Sequence, residues 1–242
     1  STYAVLPFFA ALGPGVMALR LMCIAGGAAT VALTYLWGRS LFHSRWVGAA
    51  AALLLATHPS FVFYARQGVH VSSLMALWQM AALCLLVAWQ CTGRARWLAA
   101  AAFLLGVGLW TKIVFLWVDV ALLACYGLWR LPTWWSALRS IGLVAAIAQR
   151  VRPVQVIATG TAFLLGLSPF IVFNLQTGAT FSAVSEASGV TAYGVRNSAY
   201  LANLGERLGT LGALLTGDHF WFLGGLYGNP LFVPATLAAV VA

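Results

Sequence analysis

An all-α bundle of helices that cross a membrane is the fold this sequence predicts, on three observations. Of 242 residues, 62% are hydrophobic and 7% are charged, where a soluble domain carries about 25% charged residues. The mean hydropathy is +0.93, which leaves too little polar surface to coat a water-soluble globule. The apolar residues also fall in long runs, and a helix needs about 20 of them to cross a hydrocarbon core about 30 Å thick.

The runs can be taken in order. Met17–Leu36 is the first span, with Arg20 near one end. Val47–Tyr64 is the second and Ser72–Gln90 the third. Trp97 to Trp129 is apolar except for Thr111, Lys112 and Asp119. It reads either as one long helix or as two short ones broken near Thr111-Lys112. Charge decides between them. With Arg39 and Arg45 on the cytoplasmic side, Arg94 and Arg96 also fall inside. A hairpin then keeps Arg130, Arg139, Arg150 and Arg152 inside as well, as the positive-inside rule favours. The hairpin leaves Arg20, Arg66, Lys112, Arg196 and Arg207 at or beyond the outer boundary, with Lys112 at the hairpin tip. Val154–Phe173 is a further span, and Leu231 begins a last one.

Between the spans lie two other segments. Thr133–Arg152, bounded by Pro132 and Pro153, carries a Trp134-Trp135 pair and three arginines. That composition suits a helix lying in the cytoplasmic interface, residues 133–152. Residues 174–229 hold three of the four acids among Gly, Ser, Thr and Asn. They are expected outside, as loops and short helices against the membrane face. The chain opens without a methionine or a basic n-region and closes inside an apolar run too short to span. One membrane domain over 1–242, truncated at both ends, is the expectation.

Composition also excludes some readings. The net charge of +9 comes from basic residues scattered singly, with no basic run or aromatic-basic groove, so nucleic acid is not a partner. Cys23, Cys84, Cys91 and Cys125 lie in or beside apolar runs without metal spacing and read as small packing residues. No P-loop and no HExxH motif is present. Spans broken in matching positions, the mark of an inverted-repeat transporter, are absent as well.

Ionisable residues inside or at the edge of a membrane are costly and so are functional candidates. Arg66, in the outer turn Tyr64-Ala-Arg-Gln-Gly-Val-His70, is suited to clamping a phosphate. His70 is a candidate acid/base or ligand, with a polar helix end as the plainer reading. Lys112 at a hairpin tip suits a lipid phosphate as a point charge, or simple snorkelling to the interface. Asn174 is placed to hydrogen-bond a sugar hydroxyl, or more plainly to cap a loop. Asp119 reads as part of a polar track, or as a buried acid paired with an arginine or a tryptophan N–H. Asp218-His219 is two neighbouring ligand types and nothing more.

Four segments carry a resemblance. Leu12-Gly-Pro-Gly-Val-Met-Ala-Leu-Arg20-Leu, Gly48–Arg66 (GAAAALLLATHPSFVFYAR), Gly106-Val-Gly-Leu-Trp-Thr-Lys112 and Ser168-Pro-Phe-Ile-Val-Phe-Asn174 with Gly178 follow one another in the order of the dolichyl-phosphate-mannose–protein mannosyltransferase family. That family includes the bacterial aminoarabinose transferases. The resemblance implies a GT-C fold in the bacterial cytoplasmic membrane, with its active face extracytoplasmic. It implies a glycosyltransferase that moves a sugar from a polyprenyl-phosphate donor to a lipid, glycan or protein. Arg66 and Lys112 match the family's second-turn arginine and its lysine near the lipid phosphate. The family's general base is an aspartate in the first outer loop, expected upstream of residue 1. The family often adds an acid after the arginine; Gln67–Ser73 has none, so no metal is assigned and a divalent ion is left open. Partners are the lipid-linked donor and membrane lipids. The rivals are a small-solute transporter or permease, which requires polar residues at mid-depth in several spans, and a non-catalytic membrane subunit, which tolerates loss of Arg66 and Lys112.

Overall fold

The computed structural model describes residues 2–68, 72–141, 153–187 and 196–216, with a few positions between 230 and 238. Among them the regular secondary structure is helical, with no β-strand and one isolated bridge residue at Arg196. A 3₁₀ turn over Thr2–Val5 leads into α1 (Leu6–Leu12). α2 (Val16–Phe42), α3 (Arg45–Thr57), α4 (Pro59–Ala65), α5 (Ser72–Thr92) and α6 (Ala95–Thr111) follow. A second 3₁₀ turn, Ile113–Phe115, precedes α7 (Leu116–Ile141); then come α8 (Pro153–Thr177), α9 (Ala179–Ala187) and α10 (Tyr200–Thr216). Among the described residues four helical stretches are long and apolar enough to cross a membrane: α2, α5, Ile113–Thr133 and α8. A fifth is counted if α3 and α4 form one bent span.

The surface is inverted relative to a soluble protein. Trp46, Leu53, Trp117, Leu123, Leu128 and Val154 are exposed, while the buried set is rich in Ala and Gly. Large apolar side chains face lipid, where they cost nothing, and small ones lie where helices touch.

The chain divides into two compact units, one over 1–53 and 65–170, the other over 54–64 and 171–242. In the first unit α2 and α5 run parallel. Gly26 lies against Leu74, and further along the Cys84 thiol is 3.5 Å from the Leu33 carbonyl. Val5, Met22, Cys23 and Leu74 form the core beneath them. α5 and α6 are antiparallel, joined through Gly93 at φ +66°, a left-handed residue that suits glycine. α6 and α8 cross where each presents a glycine. A Cβ on Gly106 would strike the Phe163 carbonyl, and one on Gly166 the Phe103 carbonyl.

The apolar stretch from Trp97 to Trp129 does reverse at Lys112. α6 ends there, and α7 runs back until Tyr126, Trp129 and Arg130 line a groove with Trp89, Gln90 and Gly93 at the far end of α5. The break is local. Lys112 is extended, at φ −159° and ψ 131°, and Phe115 folds back so that its fully buried ring covers Gly108.

Three boundaries differ from the sequence reading. The second span is interrupted at His58, because Pro59 lacks an N–H and disfavours helical geometry in the residue before it. α7 passes through Pro132 and continues to Ile141, so residue 133 does not begin a separate helix. Proline inside an apolar helix is tolerated where neighbouring groups take up the freed carbonyl. Residues 142–152 of the expected interfacial helix lie outside the described residues. In the second unit, the described residues between 174 and 216 are mostly helix: the last turn of α8, then α9 and α10. There the Ser60 hydroxyl donates to the Leu214 carbonyl at 3.4 Å, tying α4 to α10.

Candidate functional site

Arg66 follows the last residue of α4, and its side chain is exposed. Its position is set two residues later. A Cβ on Gly68 would lie 2.9 Å from the Leu19 Cβ and 3.3 Å from the Arg20 nitrogen. Only glycine lets the turn approach α2 so closely, and the approach brings Arg66 beside the start of α2. Arg20, also exposed, shares that end.

Lys112 is fixed from the other side. The Thr111 hydroxyl donates to the Val107 carbonyl at 2.8 Å and accepts from the Trp78 indole N–H at 3.1 Å. Trp78 is six residues into α5, so the bond holds the end of α6 within about 9 Å, along the axis, of the start of α5. The Lys112 N–H bonds the Gly108 carbonyl at 3.2 Å, its carbonyl accepts from the Phe115 N–H at 2.9 Å, and its side chain is exposed. The Trp110 ring lies against Tyr3, tilted by 35° with centroids 5.8 Å apart. Lys112 therefore stands on a corner whose backbone is bonded on both sides, with its side chain exposed.

Arg20, Arg66 and Lys112 thus occupy one end of the first unit. Arg39, Arg45, Arg94, Arg96 and Arg130 occupy the other, at the C-terminal ends of α2 and α5, the starts of α3 and α6, and the returning part of α7. Sequence alone gives Arg20 a topological role only. Its neighbourhood with Arg66 depends on the Gly68 contact, which no local pattern announces.

Asn174 belongs to the second unit and serves a joint. It is buried in the last turn of α8. Its Oδ1 accepts the Thr180 N–H at 3.1 Å, across Gly178 at φ +63°. That is the capping reading, and it engages the side chain in the α8–α9 corner. Replacing it with Ala is expected to cost about 1 kcal/mol, seen as a fall of roughly 2–4 °C in Tm by thermal denaturation in detergent. Sugar transfer per folded molecule should not change. His70 and Asp218-His219 lie outside the described residues.

Asp119 is in the first turn of α7, 7% exposed, and neither carboxylate oxygen has a hydrogen-bond partner among the described residues. The expected arginine or tryptophan partner is therefore missing from that set. The Ser73 hydroxyl is buried in the same way. A buried polar group without a partner costs about 1–3 kcal/mol. Asp119→Leu is accordingly expected to raise Tm, and a lowered Tm would reveal a partner for the carboxylate. Among the described residues no group of three metal-ligating side chains occurs.

Comparison with known proteins adds one positive finding. The family model described as dolichyl-phosphate-mannose-protein mannosyltransferase matches residues 2–173. No match is found among curated proteins or among solved structures. The matched range takes in Arg20, Arg66 and Lys112 and stops one residue short of Asn174.

Proposed function

The chain belongs to the dolichyl-phosphate-mannose-protein mannosyltransferase family, and from that membership as a membrane glycosyltransferase of the GT-C type we propose that it takes its sugar from a polyprenyl phosphate. The donor phosphate is held by Arg66 and Lys112, with Arg20 beside them, at the extracytoplasmic face of the membrane. One observation carries this reading: Arg66 and Lys112 come from distant parts of the sequence, yet both lie at the end of the first unit that lacks the main arginine cluster. The positive-inside rule makes the arginine-rich end cytoplasmic and the clamp end external.

The chemistry follows from the charges. The acceptor oxygen attacks the anomeric carbon as the bond from that carbon to the phosphate oxygen breaks. The electron pair leaves with the phosphate, whose negative charge grows in the transition state. Cations placed at those oxygens stabilise that state more than the ground state, and that difference accelerates the reaction. Arginine offers a planar fork to two oxygens, lysine a compact point charge. The donor's isoprenoid tail is apolar and lies along helix surface already facing lipid. The acceptor's proton needs a base. Asp119, the only acid before residue 186, is occluded, so a carboxylate beyond these residues is proposed for that role.

The test is sugar transfer by the full-length protein in lipid nanodiscs. Polyprenyl-phosphate donors carrying different radiolabelled sugars are offered with a membrane-lipid extract as acceptor. Transfer from at least one donor is expected. A folded protein that turns over none of them would overturn the reading.

A further inference from the structure

At the end of the first unit opposite the proposed clamp, α5, α7 and α8 enclose an open groove of about 380 Å³. That volume is at the lower end of the range for small-molecule sites. Trp89, Gln90 and Gly93 line it from α5 and its following turn; Tyr126, Trp129 and Arg130 line it from α7; Gln155 lines it from α8. The Arg130 guanidinium lies 4.9 Å from the centre of the Trp129 ring and 5.7 Å from that of Tyr126. Such contacts hold a cation in place without neutralising it. The three lining helices carry one acid, Asp119, eleven residues and therefore about 16 Å along α7 from Arg130. The groove thus has a fixed positive charge, two amide side chains able to donate, aromatic walls and, among the described residues, no counter-ion.

We propose that this groove binds the phosphodiester head of an anionic membrane phospholipid. The phosphate sits on Arg130, whose donors match it in pairs. Gln90 and Gln155 reach the ester or glycerol oxygens. A lipid fits better than a soluble phosphate because Leu123, on the same face of α7 as Tyr126 and Arg130, is exposed and apolar, as is Val154 next to Gln155. They offer acyl chains a surface that a free ion cannot use. Trp89, Tyr126 and Trp129 are the residue types that collect at the headgroup level of a bilayer. Arg39, Arg45, Arg94 and Arg96 at the same end raise the local concentration of anionic lipid. The site is separate from the proposed donor clamp and does not depend on it.

The experiment is native mass spectrometry of the full-length protein in detergent, titrated with phosphatidylglycerol or with phosphatidylcholine. One phosphatidylglycerol per protein should be retained, with at least tenfold preference over phosphatidylcholine. Arg130→Gln should weaken that binding about tenfold. Gln155→Leu, a milder change, should weaken it about threefold and serves if Arg130→Gln does not fold. Arg39→Gln, at the same end but outside the groove, removes only surrounding charge and should weaken it less than about twofold. Equal binding of the two lipids, or undiminished binding in Gln155→Leu together with Arg130→Gln, overturns the proposal. Displacement of the lipid by millimolar inorganic phosphate also overturns it, in favour of a site for the free ion.

Discussion

Replacing Arg66 and Lys112 together by alanine in the full-length protein is expected to lower kcat/KM for sugar transfer by about 10³-fold or more while the protein still folds. Both side chains are exposed, so their loss leaves no cavity and strands no buried partner. The magnitude comes from the transition state. Removing one donor aimed at a developing oxyanion costs about 10²–10³ in rate. Two donors on one phosphate act as a unit, so the double variant falls short of the product of the two singles. The conservative variants separate the roles. Lys112→Arg keeps the charge and should retain most activity. Lys112→Met keeps the stem and should not. A loss confined to KM would assign the pair to donor binding alone, since uniform binding leaves kcat untouched. Undiminished transfer by the double variant removes the phosphate clamp, and with it the rationale for placing the reaction at this end.

The second large effect is structural. Gly106→Leu is expected to destabilise the protein by about 3 kcal/mol, at the upper end of ordinary overpacking, which is a fall of roughly 6–12 °C in Tm. At this crossing α6 and α8 touch backbone to backbone, and a Cβ on Gly106 would strike the Phe163 carbonyl and approach the Leu167 nitrogen to 3.0 Å. Carbonyl and amide groups cannot rotate aside as a side chain can. Association of helices in lipid depends on such close approach, because no hydrophobic force brings them together there. Gly160→Leu, on α8 but with nothing within 4 Å of its Cβ position, should leave Tm within about a degree. Size-exclusion chromatography after a heating series in detergent reads both. Equal effects at the two positions would mean that helix propensity, not the crossing, sets the loss. Because α6 carries Lys112 at its end, Gly106→Leu should also displace the clamp and reduce transfer in the fraction that remains folded.

How far the sequence was legible differs by level. Apolar run length located every described span, because hydrocarbon thickness is a fixed ruler that a single chain must match. Arginine spacing chose the hairpin over a single crossing in Trp97–Trp129, and the chain does turn at Lys112. Proline was the poorer guide. Pro59 ends a helix, whereas Pro132 lies inside one, and the sequence offers the same residue type for both. Asn174 carried two readings from sequence, and the Thr180 contact supports the plainer one. Asp119 was expected to have a partner, and neither oxygen has one among the described residues.

What the sequence by itself determined is the solvent of this protein and the order of its helices. Both follow from local quantities: apolar length, charge placement and four family motifs in register. Only the tertiary structure decided which charges share an end. Arg20 meets the Arg66 turn because Gly68 has no side chain. Lys112 is held near the start of α5 by the packing of α6 on α5 and the bond between Trp78 and Thr111. Arg130 is set in a groove by residues from three helices. The physical reason is that such pairings depend on contacts between residues far apart in the chain, and neither hydropathy nor spacing encodes which face of one helix will meet which face of another.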